Sequence, residues 1–209
     1  TAFNILISAY CEQGLLNEAI QILDKLLDYS KKQHPKIQAD ILSFSPIIRS
    51  LGKRGFSQQA EQLFENMQSQ GIKADLISWS TVIHAWSNSK LREAPSRVAK
   101  LLGGMEKSNI TPDTAVYNTV LLTLANAGNM GAEAEEMLTH MSAAPNVISY
   151  TTCISAWKNS PDIPEALERA EALLKDMENK GLVPNVITYS TLISIYARDG
   201  MAERAEAIL

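Results

Sequence analysis

The chain has 209 residues, of which 45% are hydrophobic and 20% charged, with a formal net charge of −4. This composition excludes a disordered chain and leaves enough apolar residues for a sizeable core, while the acidic balance gives no advance support for a phosphate-rich partner. Cys11 and Cys153 lie far apart without a CxxC companion, so the sequence implies neither a disulfide framework nor a zinc site.

Further features of the sequence are its lack of a membrane-spanning segment and the way in which it begins and stops. No apolar run approaches the roughly 20 residues that a membrane-spanning helix needs, so we expect no membrane partner. The chain begins at Thr1 without a methionine and stops inside the helical pattern AERAEAIL. We therefore interpret it as a fragment of a longer protein.

A pattern of one aromatic residue followed at +3, +4 and +7 by apolar residues recurs along the chain. Its six aromatic residues are Phe3, Phe44, Trp79, Tyr117, Tyr150 and Tyr189. This spacing places the apolar residues on one face of an α-helix, so each occurrence predicts a helix with one buried stripe. Ser43, Ser78, Ser149 and Thr188 directly precede four of these residues and are predicted to be N-caps.

A second apolar stripe with the same spacing follows each first one. Its leading residues are Ala19, Ala60, Val98, Ala134, Ala170 and Ala205. Glycines at 14, 55, 128 and 200 lie where the chain must leave the first helix and turn. Each unit is therefore a predicted helical hairpin that cannot bury its apolar face alone, and the hairpins are expected to stack.

The last of these units has the most recognisable amino-acid sequence. The run from Val186, VITYSTLISIYARDGMAERAEAIL, resembles the pentatricopeptide repeat, with its V-x-T-Y-N opening, glycine turn and A-x-x-L-F-x-x-M second helix. The resemblance covers the whole chain as one array, 1–209, with repeats at about 1–40, 41–75, 76–113, 114–146, 147–185 and 186–209, the last incomplete. It implies an all-α, right-handed α-solenoid (superhelix) of antiparallel helix-turn-helix repeats. Similar irregular arrays occur in organelle RNA-processing proteins, including protein-only RNase P.

Two positions in each unit vary within a small polar alphabet. The residue after each aromatic, which we call the reader, is Asn4, Ser45, Ser80, Asn118, Thr151 or Ser190. The residue that ends each complete unit, which we call the closing residue, is Asp40, Asp75, Asp113, Asn146 or Asn185. In pentatricopeptide repeat proteins these two positions read one RNA base per repeat. By the same resemblance Leu42, Ile77, Ala115, Ile148 and Ile187 would wedge between successive bases.

A purely structural interpretation of the same residues is also available. Asn, Ser and Thr are favoured at helix starts, and Asp or Asn suits a turn that leads into a helix. On the base-reading hypothesis we expect all six readers in one exposed row, with Arg49, Lys53, Lys158 and Arg198 as phosphate contacts beyond them.

The function implied by the resemblance is sequence-specific binding of single-stranded RNA in organellar RNA processing, stability, editing or translation. The family's pairing rules give 5′-UGGCA-3′ across the five complete repeats. The alternative is a helical scaffold that binds protein in an organellar RNA or ribosome complex. His34, His84 and His140 have no HExxH or cysteine partner, so we predict no enzymatic site and no cofactor within this fragment; a nuclease domain like that of protein-only RNase P would lie outside it. The resemblance implies a mitochondrial or chloroplast location, although the fragment itself contains no transit segment.

Overall fold

The computed structural model describes residues 2–31 and 38–206, and His34 lies outside these ranges. The described residues form twelve helices and no strand. They divide into two compact units, Thr1–Ile110 and Thr111–Leu209. The predicted all-α class, built from helix-turn-helix repeats, is confirmed.

The first unit consists of three hairpins. Its helices are α1 (Ala2–Glu12), α2 (Leu16–Lys31), α3 (Ile41–Lys53), α4 (Ser57–Ser69), α5 (Leu76–Ser87) and α6 (Ala94–Lys107). The first helices α1, α3 and α5 lie side by side, and α2 and α4 each also contact the first helix of the next hairpin. The readers of this unit therefore lie on neighbouring helices.

The second unit repeats the arrangement. Its helices are α7 (Thr114–Ala127), α8 (Gly131–His140), α9 (Val147–Trp157), α10 (Ile163–Asn179), α11 (Val186–Arg198) and α12 (Ala202–Glu206). The first helices α7, α9 and α11 are neighbours, while α8 and α10 pack against the first helices on either side of them.

The aromatic stripes form the core of both units. Phe44 and Tyr150 are fully buried, and Tyr117 is 1% exposed. Leu6 departs from the pattern, because it is 46% exposed whereas the residues at the same position of the later hairpins are fully buried: Ile47, Val82, Val120, Cys153 and Leu192. The difference arises because α1 has no earlier helix packed beside it among the described residues.

The predicted glycine turns are confirmed. Gly14, Gly55, Gly128 and Gly200 all have φ between 73° and 79°. An L-residue with a side chain adopts this left-handed conformation only with strain, so glycine lets the chain turn immediately after each of these first helices.

Candidate nucleic-acid interface

The closing residues are the N-caps of the first helices that follow them. Asp40, Asp75 and Asn146 each accept a hydrogen bond from the backbone amide three residues later, at 2.8–3.0 Å. Asp113 and Asn185 do the same for α7 and α11. Each of these side chains therefore satisfies an amide of the first turn that has no partner within its own helix.

The sequence-based assignment of N-caps is therefore wrong by three residues. Ser43, Ser149 and Thr188 do not cap their helices; instead each hydroxyl accepts from the backbone N–H of the true N-cap, which completes a capping box. Ser78 donates its hydroxyl proton to Asp75 Oδ1 at 2.7 Å. The error arose because the serine or threonine beside the aromatic residue is an equally good cap by residue type, and only the helix start distinguishes them.

The readers do not form a uniformly exposed row. Ser190 is exposed, and Ser45, Ser80 and Asn118 are half-buried, but Asn4 and Thr151 are each only 8% exposed. The expectation of six exposed readers is thus wrong for Asn4 and Thr151. Both are held by hydrogen bonds to the N-terminal turn of the next first helix, which covers their side chains.

Two reader and closing pairs are brought into direct contact. Asn4 Nδ2 donates to Asp40 Oδ1 and Oδ2 at 3.0 and 3.2 Å, and Asn118 Nδ2 donates to Asn146 Oδ1 at 3.3 Å. Thr151 reaches Asn185 only indirectly, since its hydroxyl lies 2.7 Å from Thr188 Oγ1, which donates to Asn185 Oδ1. A polar pair of this kind can offer a combined pattern of donors and acceptors to a base edge.

Among the described residues, the serine readers Ser45 and Ser80 form hydrogen bonds within their own helices and not with closing residues. Ser45 Oγ donates to the Ile41 carbonyl at 2.8 Å, and Ser80 Oγ donates to the Ile77 carbonyl at 3.0 Å. These short side chains turn back onto their own helix, as serine commonly does inside helices. Each hydroxyl oxygen keeps acceptor capacity toward solvent.

The predicted wedge residues lie one helical turn before the readers and project into solvent. Leu42, Ile77, Ile148 and Ile187 are 57–66% exposed, and Ala115 is also exposed. Aliphatic side chains so exposed gain little from the hydrophobic effect in the free protein. They supply apolar surface next to the readers, which is what insertion between two bases requires.

Basic side chains line a groove between α1 and α3. The groove has a volume of about 740 Å³ and includes Leu42, Ser45, Arg49 and Lys53. Arg49 and Lys53 are both exposed, whereas Lys158 is half-buried at the end of α9. Arg49 and Lys53 therefore have the clearest access to a phosphate among the predicted contacts.

Arginines at the ends of two first helices bind the turn of the preceding hairpin. Arg198 Nη2 donates to the Ser160 carbonyl at 2.9 Å, so this predicted phosphate contact already has a structural partner. Arg54 Nη2 donates to the Gly14 carbonyl in the same manner. Arg54 was not predicted, although its place directly after a first helix, like that of Arg198 at a helix end, was the available signal.

Charge in the second unit is separated by helix type. The first helices α7 and α9 contain no charged residue, and α11 contains only Arg198. The second helices carry most of the acid, including Glu133, Glu135 and Glu136 on α8. Acidic repulsion of a polyanion is therefore weakest along the first-helix face.

A three-residue cluster joins the two helices of the fifth hairpin and was not predicted. Tyr150 Oη donates to Asp176 Oδ2 and accepts from Lys180 Nζ, each at 2.5 Å. Burial and the hydrogen bond to Asp176 raise the pKa of Tyr150, and the hydrogen bond from Tyr150 lowers the pKa of Asp176. The cluster fixes the aromatic residue directly before the reader Thr151.

Residues 2–31 and 38–206 contain neither a metal-binding cluster nor a membrane-spanning helix. No group of three or more His, Cys, Asp or Glu side chains in these ranges is arranged to hold a metal ion. None of the helices there combines the length and apolar content needed to cross a membrane.

Stacked helical hairpins, polar readers and capping closing residues together define a helical-repeat protein. The "PPR repeat family" matches residues 145–198, the "PPR repeat" matches residues 2–26 and 42–72, and the "Pentatricopeptide repeat domain" matches residues 62–127. The chain belongs to the pentatricopeptide repeat family.

Two relatives from Arabidopsis thaliana illustrate the similarity. The chain is 27% identical to the small ribosomal subunit protein mL103 over 73% of its own length and 35% of that protein. It is 30% identical to a mitochondrial pentatricopeptide repeat-containing protein over 82% of its own length and 21% of that protein. The chain thus spans about a fifth to a third of these relatives.

Solved structures share the fold. The pentatricopeptide repeat protein PPR10, crystallised with an 18-nt psaJ RNA element, matches 99% of this chain and 32% of that one, with 20% identity and a TM-score of 0.64. The PPR domain of Arabidopsis thaliana protein-only RNase P 1, in complex with tRNA, matches 77% of this chain and 82% of that one, with 14% identity and a TM-score of 0.64.

Proposed function

We propose that the chain binds single-stranded RNA along its first-helix face, with one base at each complete repeat. The observation that carries this proposal is the juxtaposition, on the same helices, of polar readers and exposed aliphatic side chains, as with Ser45 and Leu42 on α3. Polar groups can meet the edges of unstacked bases while apolar groups fill the space between them. RNA is present in the structures of PPR10 and of the protein-only RNase P 1 domain, which supports the same partner here.

The names of two relatives support an organellar compartment. One relative is named as mitochondrial and another as a small ribosomal subunit protein. We place this protein in an organelle, mitochondrion or chloroplast, where it acts in RNA processing, stability, editing or translation. The binding role needs no catalytic group within this chain.

A salt titration tests RNA binding against the scaffold alternative. The logarithm of the association constant for a single-stranded RNA pool is expected to fall linearly with the logarithm of salt concentration, with a slope of about −0.7 per phosphate contacted. Arg49→Gln and Lys53→Gln should each make that slope shallower, since both side chains are exposed in the groove. RNA affinity that is absent at low salt would favour the protein scaffold instead.

The proposed target sequence is 5′-UGGCA-3′, and one closing residue offers the sharpest test of it. Asn146→Asp replaces an amide by a carboxylate in the fourth repeat and is expected to move the preference at the fourth letter from cytosine toward uracil. A mismatched base pair costs about 1–3 kcal/mol in protein–DNA interfaces, a scale that we adopt for RNA. Selection from a randomised RNA pool measures the change at each letter.

The structure makes this substitution conservative for folding. Asp40, Asp75 and Asp113 cap α3, α5 and α7 in the same way that Asn146 caps α9, so aspartate preserves the cap. The thermal midpoint of unfolding should therefore stay close to that of the wild type. Loss of RNA binding without a new fourth letter, or an unchanged letter, would show that Asn146 acts only as a cap.

A further inference from the structure

Hydrogen bonds cross from the third residue of a first helix to the reader of the preceding hairpin. Ser149 Oγ lies 2.6 Å from Asn118 Oδ1, and Ser43 Oγ lies 2.8 Å from Asn4 Oδ1. Thr188 Oγ1 lies 2.7 Å from Thr151 Oγ1. Three readers in the two units are therefore bonded to a hydroxyl from the next repeat.

The hydroxyl group of Ser149 has two possible acceptors, and their distances differ. Its hydroxyl oxygen is 2.6 Å from Asn118 Oδ1 but 3.1 Å from Asn146 Oδ1. A serine hydroxyl has one proton, and Asn146 Oδ1 already accepts from the Ser149 backbone amide at 3.0 Å. The Ser149 hydroxyl therefore donates its proton to Asn118 Oδ1, the nearer acceptor.

This bond determines which side of the Asn118 amide faces outward. Its oxygen is occupied by Ser149, and one N–H donates to Asn146 Oδ1 at 3.3 Å. The second N–H has no partner among the described residues, and the side chain is half-buried rather than enclosed. Asn118 thus presents a donor, which suits the N3 or O2 acceptor of cytosine.

Within the described ranges, the serine readers lack this hydrogen bond from the third residue of the next first helix. Ser78 occupies the same third position in α5, but its hydroxyl donates to Asp75 Oδ1, while the reader Ser45 donates to its own helix. In this repeat the reader hydroxyl and the third-position hydroxyl of the next first helix therefore each have a different partner. Ser78, which does not bond a reader, is therefore a matched control for Ser149, which does.

We infer that Ser149 is a positioning residue for base recognition: by holding Asn118 Oδ1, it fixes the amide orientation and so the letter that the fourth repeat accepts. This inference rests on the proposed function. Ser43 plays the same part toward Asn4. Specificity then depends on a residue outside the two positions that contact the base.

The test measures discrimination rather than affinity alone. Binding of the whole chain is measured to four short single-stranded RNAs carrying 5′-UGGNA-3′, one for each base at N. In Ser149→Ala the amide of Asn118 can turn over, so the preference for the best over the worst base at N should fall about tenfold, the value of one hydrogen bond. Ser149→Thr keeps a hydroxyl and should restore the preference.

Ser78→Ala is the control. It removes a hydroxyl at the same helical position that bonds a closing residue but no reader, so discrimination at the second letter should be unchanged in RNAs carrying 5′-UNGCA-3′. If Ser149→Ala weakens binding to all four RNAs equally, Ser149 is only part of the helix cap and the inference is overturned. If the wild type discriminates at no letter, the proposed function itself fails, which is a different result.

Discussion

Replacing Trp86 by alanine is expected to lower the free energy of unfolding by about 3–5 kcal/mol, the range for a large buried aromatic residue. Trp86 is fully buried in the first unit, and the guanidinium of Arg97 lies 5.7 Å from its ring centroid. Arg97 also forms an ion pair at 3.5 Å with Glu61, which is 6% exposed, so a cavity at Trp86 would disturb this pair too. Urea denaturation followed by circular dichroism measures the loss.

Two variants separate the core from the proposed reading face. Ser80→Ala lies on the same helix and removes only a bond to the Ile77 carbonyl, so its effect should stay within about 0.5 kcal/mol. Trp86→Phe should cost less than Trp86→Ala, because it keeps most of the ring and removes an N–H that has no hydrogen-bond partner among the described residues. Equal damage from Ser80→Ala and Trp86→Ala would contradict the division into core and reading face.

Gly131→Ala is expected to destabilise the second unit by about 1–3 kcal/mol, the usual cost of overpacking. Gly131 is the first residue of α8 and is buried against the indole of Trp157. A Cβ atom there would lie 2.6 Å from Cε3 of that ring, well inside van der Waals contact. Helix propensity alone predicts the opposite sign, since alanine is favoured over glycine by about 1 kcal/mol.

Gly103→Ala provides the matched control, because Gly103 lies within α6 and a Cβ atom there meets nothing within 4 Å. This variant should be neutral or slightly stabilising. The steric cause can be confirmed in the double variant with Trp157→Ala, whose loss should be smaller than the sum of the two single losses. Additive losses would show that Gly131 matters for some reason other than the ring.

The repeat pattern made the hairpins predictable from sequence. Apolar spacing of +3, +4 and +7 located the helices, and glycines such as Gly14 and Gly128 marked the turns because few other residues adopt positive φ. The helix starts were harder to predict. Asp40 and Ser43 are both good caps by residue type, and the choice between them depends on which backbone amides are left without partners.

The burial of Asn4 and Thr151 could not be predicted, because it depends on contacts between repeats. Each is covered by the next first helix and bonded to a hydroxyl on it, a contact that no spacing within one repeat reveals. The same holds for the bonds from Arg54 and Arg198 to turn carbonyls about 40 residues earlier. Local patterns specify each hairpin, whereas the chemistry of the reading face is set where neighbouring hairpins meet.

The proposed function gives the closing residues two roles, and this restricts how such a protein can evolve new RNA targets. On that proposal a closing residue must contact a base as well as start a helix, and Asn146 does the second through its bond to the Ser149 amide. Replacing a capping side chain by an aliphatic one costs about 1 kcal/mol of stability, whatever it does to the RNA. Asp, Asn, Ser and Thr are the side chains that keep the cap hydrogen bond, so helix initiation favours these four residue types at positions where a change would alter the preferred base.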